Sequence, residues 1–186
     1  MRITNNFRTD QDFILRFLNV LGGGAAILSS NKRAGPGFFI SAHSFIEGYI
    51  EDNFFKGEDL LITALEDNGF SASEGPIAAL RTDQIKSRDS AEHMANASRG
   101  WQGGDEEARS EVGWAASDYT SAMRQHLDRL KTRVLPLLEQ NMSPDDEQRI
   151  LEGLGRLASE KDSRKEDADK YVKLIESLEG ELSDWK

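Results

Sequence analysis

The run from Tyr119 to Met142 carries one imidazole, His126, in a pattern of helical period. Residues four apart on a helix are stacked neighbours, so the chemistry open to His126 depends on position 130. A carboxylate there would supply half of a metal site of the kind built inside helical bundles, where His and Glu recur at such spacings. The residue is Leu130, which coordinates nothing. The run therefore reads as the frame of a metal protein from which ligands have been removed. The other histidines, His43 and His93, fall on separate helical runs, and no Ser-His-Asp arrangement can be assigned.

Composition narrows the field further. The chain has 186 residues, enough for one domain with a sizeable core, and a formal net charge of -10. That balance argues against nucleic acid, which calls for a basic stripe to neutralise phosphates. The absence of cysteine excludes disulfides, thiolate metal sites and cysteine nucleophiles, and fits a reducing, cytoplasmic setting. No apolar run approaches the roughly 20 residues of a membrane span, and the N-terminal stretch lacks the apolar centre of a signal peptide.

The elements that must position these residues are helices, because the apolar period is helical almost throughout. A first helix is expected from Thr9, with Phe13, Ile14, Phe17, Leu18 and Leu21 as its stripe. Gly22-Gly23-Gly24 either weakens it or lets a neighbour approach closely; no strand or Gly-Lys-Ser/Thr makes it a phosphate loop. Residues 31–37 read as a loop. A second helix is expected from Phe38 to Leu65, closed by Asp67-Asn68-Gly69. A third opens at Gly75-Pro76 and runs to Ser98, with Ile77, Leu80, Ile85 and Met94 as core. A fourth spans Glu107 to Asn141, with Pro136 as a candidate kink. Ser143-Pro144-Asp145 starts a shorter helix to Ser159, and charged residues 161–169 lead into a last helix with Tyr171, Leu174, Ile175 and Leu178 on one face. The predicted fold is all-α: an antiparallel up-down-up-down four-helix bundle over residues 9–142, with a C-terminal helical pair packed on it over 143–186.

Several segments together resemble the hemerythrin-like (HHE cation-binding) family. They are residues 45–69 (FIEGYIEDNFFKGEDLLITALEDNG), Gly75-Pro76-Ile77-Ala78, residues 124–143 (RQHLDRLKTRVLPLLEQNMS) with Val134-Leu135-Pro136, and residues 171–178. The resemblance implies two irons held between four helices by His, His-x-x-x-Glu, His and His-x-x-x-Glu. Carried onto this chain, those positions fall near Gln11, on Phe54 and Glu58, on Gln84, and on His126 and Leu130; only Glu58 and His126 keep a ligating type. An amide is a weak ligand for iron or zinc beside imidazole or carboxylate. Phe54 and Leu130 would instead fill the space, each adding about 1.5–3 kcal/mol on burial.

Two kinds of function follow. In the first, Glu58 and His126 face each other as a buried pair, no metal or other cofactor is expected, and the chain is a binding or interaction module. The former metal cavity, lined by Gln11, Phe54, Glu58, Gln84, His126 and Leu130, would then hold a small-molecule ligand. In the second, Glu58 and His126 anchor iron or another divalent metal with Gln84 as third ligand, and the ion binds oxygen or nitric oxide or does oxidative chemistry. A third reading, acid–base catalysis at Glu58 and His126, ranks last. Asp59, beside Glu58, should point elsewhere. Phe54 and Phe55 are adjacent, so only one can face the centre. His43 reads as a partly exposed helix residue and His93 as a surface residue. Tyr49 and Tyr119 read as core residues with a hydroxyl at the rim. Trp101 and Trp114 read as either a bundle cap or a partner surface.

Overall fold

The computed structural model describes residues 1–28, 30, 33–159 and 164–186. Part of the expected 31–37 loop and the start of the charged 161–169 stretch lie outside them. Among the described residues there are helices and no strands. They are α1 (Arg2–Ile27), α2 (Pro36–Phe45), a π-helical stretch (Ile46–Phe55), α3 (Lys56–Asp67), α4 (Gly75–Gln102), α5 (Ala108–Arg129), a second π-helical stretch (Leu130–Val134), α6 (Leu135–Asn141), α7 (Pro144–Ser159) and α8 (Arg164–Trp185). None is long and apolar enough to cross a membrane.

Helix α1 begins seven residues before the expected start at Thr9. Ile3 and Phe7 extend its buried stripe, and the Thr9 hydroxyl only donates back to the Asn5 carbonyl within the helix. The exposed N–H groups of the first turn need an acceptor. The Glu147 carboxylate of α7 supplies it, accepting from the backbone of Arg2 at 2.9 Å and Ile3 at 3.4 Å. A cap lent from 145 residues away leaves no trace in the local sequence. At the start of α7, Ser143 caps as expected: its hydroxyl accepts from the Asp146 N–H, and the Asp146 carboxylate accepts from the Ser143 N–H, each at 3.1 Å.

The expected second and fourth helices are each interrupted by a wider turn. In the second π-helical stretch the cause is close by. Pro136 has no N–H to give and its ring crowds the carbonyl four residues back, so the chain widens over Leu130–Val134 before α6 carries the proline at its start. Helix α3 ends at Asn68-Gly69, where Gly69 takes φ +93°, open to glycine without strain. Helix α4 runs past Ser98 to Gln102 because Trp101 is buried near its end. Ile85, expected in the core, is 58 % exposed. The inward face of α4 instead uses Asp83, Gln84 and Ser87 between Leu80 and Ala91.

Helix packing is readable from individual contacts. Gln11 reaches the Leu127 carbonyl, Arg124 reaches Asn19, and Arg109 reaches the Leu28 carbonyl, so α1 and α5 run in opposite directions. Phe17 stacks on Phe45 at 4.2 Å, setting α1 against α2. Arg81 pairs with Glu66, joining α4 to α3, and Arg129 reaches Asp83 and the Ala79 carbonyl, joining α5 to α4. Helix α7 rests on α3, with Leu60 3.0 Å from where a Cβ on Gly153 would stand. Helix α8 rests on α1 and α2 through Arg16–Glu179 and the Phe38–Trp185 contact.

The glycine run in α1 serves close approach. A Cβ on Gly24 would lie 2.5 Å from the fully buried Phe38 ring, whereas one on Gly22 would meet nothing nearer than 3.9 Å. Gly22→Ala should therefore stabilise by up to about 1 kcal/mol through helix propensity. Gly24→Ala should destabilise by about 1–3 kcal/mol through overpacking. Urea midpoints of the two variants moving in opposite directions would check this.

Candidate functional site

The centre of the molecule holds one short chain of charged groups. Glu58 enters from the first turn of α3, His126 from the last turn of α5, and both are fully buried. His126 Nε2 is 2.7 Å from each Glu58 carboxylate oxygen. On the other side of the ring, Nδ1 is 3.4 Å from Asp83 Oδ2, within ion-pair range but poorly aimed for a hydrogen bond. Asp83 in turn accepts from Arg129 Nη1 at 2.5 Å, and Arg129, one turn beyond His126, is the part of the chain nearest water. Phe55 stands edge-on to the imidazole at 5.4 Å, with the Arg88 guanidinium 5.4 Å from its ring centre.

The charges sum to zero when Glu58 and Asp83 are anionic and His126 and Arg129 cationic. Burial works against the charge on His126, but the attraction of Glu58 and Asp83 outweighs it, and its pKa is pushed up to about 9. Burial also pushes the Glu58 carboxyl up, opposed by His126. Both directions have one meaning: the pair keeps a proton lodged between them at neutral pH. Asp83 has the opposite tendency. Its partial burial is overcome by His126 and Arg129, which hold its carboxyl below the usual value.

Of the residues singled out in the sequence, Glu58 and His126 are brought together. Gln11 and Gln84 are buried but do not join them: the Gln11 amide donates to the Leu127 carbonyl at 3.3 Å, and the Gln84 amide nitrogen has no partner among the described residues. Leu130 is fully buried. Phe54 is buried too, yet its ring packs on Phe7 at 5.8 Å, and it is Phe55 that meets His126. Asp59 is exposed. His43 is half-buried, 3.9 Å from Glu47, and His93 is exposed, 3.6 Å from Glu111. Tyr49 donates to Asp10 at 3.0 Å, whereas the buried Tyr119 hydroxyl has no partner among the described residues. Trp101 is buried against Phe39 and Arg109, and Trp114 is 67 % exposed. Sequence reasoning missed Asp83, Arg129 and Phe55. Arg129 was detectable, three residues from His126 on the same helix face. Asp83 carries no local mark beyond its place beside Gln84.

These residues do not fit a two-metal centre. Among the described residues no three His, Asp or Glu side chains gather in an arrangement able to hold a metal ion. The one imidazole at the centre has a carboxylate at each nitrogen.

A separate cavity of about 540 Å³ opens at the side of the molecule, between the first half of α1, the π-helical stretch Ile46–Phe55, the end of α7 and Tyr171 of α8. Its walls combine Phe7, Phe54 and Leu154 with Asn6, Asp10 and Asn53. Phe54 is the one expected cavity residue that lines it; Gln11, Glu58, Gln84, His126 and Leu130 do not. Comparison of the chain with family models, with curated proteins and with solved structures returned no match.

The charge chain makes stability depend on pH at both ends. The contribution from His126 is fully present below its ordinary value of 6.5 and is lost as pH rises towards about 9. That from Asp83 is present above its ordinary value of 3.8 and is lost as pH falls through its lower folded value. Glu58→Gln should flatten the alkaline loss in urea titrations between pH 6.5 and 9 and lower the His126 titration midpoint seen by NMR. Glu58→Ala, which strips the buried imidazole of its Nε2 partner, should cost about 3–5 kcal/mol. The double replacement Glu58→Met with His126→Leu should cost less than Glu58→Ala alone.

Proposed function

We propose that the chain is a degenerate hemerythrin-like protein that lacks a diiron centre and acts as a small-molecule-binding module, built as an up-down-up-down four-helix bundle with a C-terminal pair of helices. The arrangement is supported by the opposed run of α1 and α5 and by the contacts of α1 with α2, α3 with α4 and α4 with α5. The observation that carries the functional reading is His126 held between Glu58 and Asp83, with Arg129 completing the neutralisation. In a metal-holding bundle the ion offsets buried carboxylates. Here a protonated imidazole and a guanidinium do so, and the interior is complete with its own charges.

Ligand binding then moves from the centre to the side. The cavity of about 540 Å³ lies within the range of small-molecule sites, and its lining mixes apolar walls with a few polar groups. Neither Glu58 nor His126 lines it, although Gly57, the residue before Glu58, does. The lack of cysteine agrees with a cytoplasmic setting.

Two measurements test this. Purified protein from cells supplied with iron or zinc should carry far less than one metal per chain, and chelator should not shift its thermal midpoint; near two irons per chain would defeat the reading. In an NMR fragment screen, hits should perturb resonances of Tyr49, Phe54 and Tyr171, and Leu154→Trp, which fills the cavity, should abolish them. Hits that ignore Leu154→Trp would place binding elsewhere.

A further inference from the structure

Resting on the reading of the side cavity as a ligand site, we propose that it takes an uncharged molecule: an apolar body bearing a carboxamide or lactam edge. That edge belongs at the level of Asn6 and Asn53.

Helix α1 and the π-helical stretch run past each other in opposite directions along this side. Phe13 meets Tyr49, Asp10 accepts the Tyr49 hydroxyl, and Phe7 meets Phe54. Asn6 lies one turn before Asp10, and Asn53 about one turn after Tyr49. The next level of the same seam therefore sets two carboxamides on the wall of the cavity. Asn6 is exposed and Asn53 half-buried, so one stands nearer water than the other. Neither carboxamide has a hydrogen-bond partner among the described residues.

The other polar groups of the lining are engaged or solvated. Asp10 accepts the Tyr49 hydroxyl at 3.0 Å and has further partners, and the Thr9 hydroxyl donates to the Asn5 carbonyl. The Lys170 ammonium already sits 5.6 Å from the centre of the Tyr171 ring. Arg2 lies one turn before Asn6 and is exposed, so its charge is hydrated and screened. What the lining has to spare is chiefly the two carboxamides, each with two N–H donors and a carbonyl acceptor.

Such a pair selects against ions. A carboxylate offers only acceptors and an ammonium only donors. Either would leave half of each amide facing a group that cannot pair with it, after the water that did pair has been displaced. A carboxamide or lactam edge supplies donor and acceptor together, and it gives up less hydration than an ion on entering. The rest of the lining accommodates the body. The Phe7 and Phe54 rings meet at 5.8 Å, and Leu151 and Leu154 of α7 border the same space. A Cβ on Gly57 would stand 3.3 Å from both Leu154 and Phe7, so these two side chains close over bare backbone. Apolar walls with a few polar groups to fix orientation are the usual make-up of a small-molecule site.

A matched series tests the assignment by calorimetry on the full chain: 4-phenylbutanamide, 4-phenylbutylamine and 4-phenylbutyrate, which share a body and differ in head group. The amide should bind at least about tenfold more tightly than either ion, the worth of two net hydrogen bonds. Asn53→Leu, which keeps the size and removes the hydrogen bonds, should abolish that advantage and leave the two ions within about twofold of their starting affinities. Asn6→Leu should reduce the advantage in the same sense, with helix content checked by circular dichroism for both variants. Equal affinity across the series, tightest binding of either ion, or an amide preference that survives both replacements would overturn the assignment while leaving the cavity as a ligand site. Failure of all three to bind, in a protein whose fragment hits are still lost in Leu154→Trp, would overturn the assignment alone. Failure of both experiments would overturn the cavity reading as well.

Discussion

A carboxylate with no access to water has to be neutralised where it stands, and Glu58 is such a group. Burial pushes its carboxyl towards the neutral form, and the nearby imidazole opposes that. The imidazole of His126 meets it, Asp83 supports the imidazole, and Arg129 balances Asp83. Four side chains from α3, α4 and α5 must arrive together for the sum to vanish. The apolar interior around them tolerates small changes of shape at modest cost. This chain tolerates no missing member without leaving a charge uncompensated, and it therefore ties the three helices to one register more strictly than the hydrocarbon packing does.

The same logic separates the centre from the side of the molecule. At the centre the four charges offset one another with Phe55 against the imidazole, and Leu130 is buried. The side is where elements leave room: the first half of α1, the π-helical stretch Ile46–Phe55 and the end of α7 border the cavity, and Tyr171 of α8 lies against Gly48. Imperfect meeting of helices leaves room, and the side chains there are of mixed character. Phe54 and Phe55, adjacent in sequence, thus face the two regions separately.

Much of the helical layout could be read in advance, since the apolar period, the Gly69 stop, the Gly75-Pro76 start and the Ser143 cap are all local signals. What could not be read depended on partners far along the chain. The early start of α1 rests on Glu147, and the exposure of Ile85 follows from the inward use of polar Asp83 and Gln84. The pairing of Glu58 with His126 was legible because both types are costly to bury alone. The family resemblance carries Phe54 to the centre, whereas Phe55 is the ring against His126 and Phe54 lines the side cavity; the helix widens to π geometry over Ile46–Phe55, which no local residue signals.

The asymmetry of the charge chain also bears on kinetics. Glu58 and His126 are sealed, and Arg129 at the far end is about one-third exposed. Solvent can exchange a hydron with the imidazole only from the Asp83 side, or after α3 and α5 part. The equilibrium position of that hydron is governed by Glu58 and Asp83 together, but the rate at which it is reached is governed by how often the Arg129–Asp83 contact opens. Asp83 thus takes part both in the thermodynamics of His126 and in its clock.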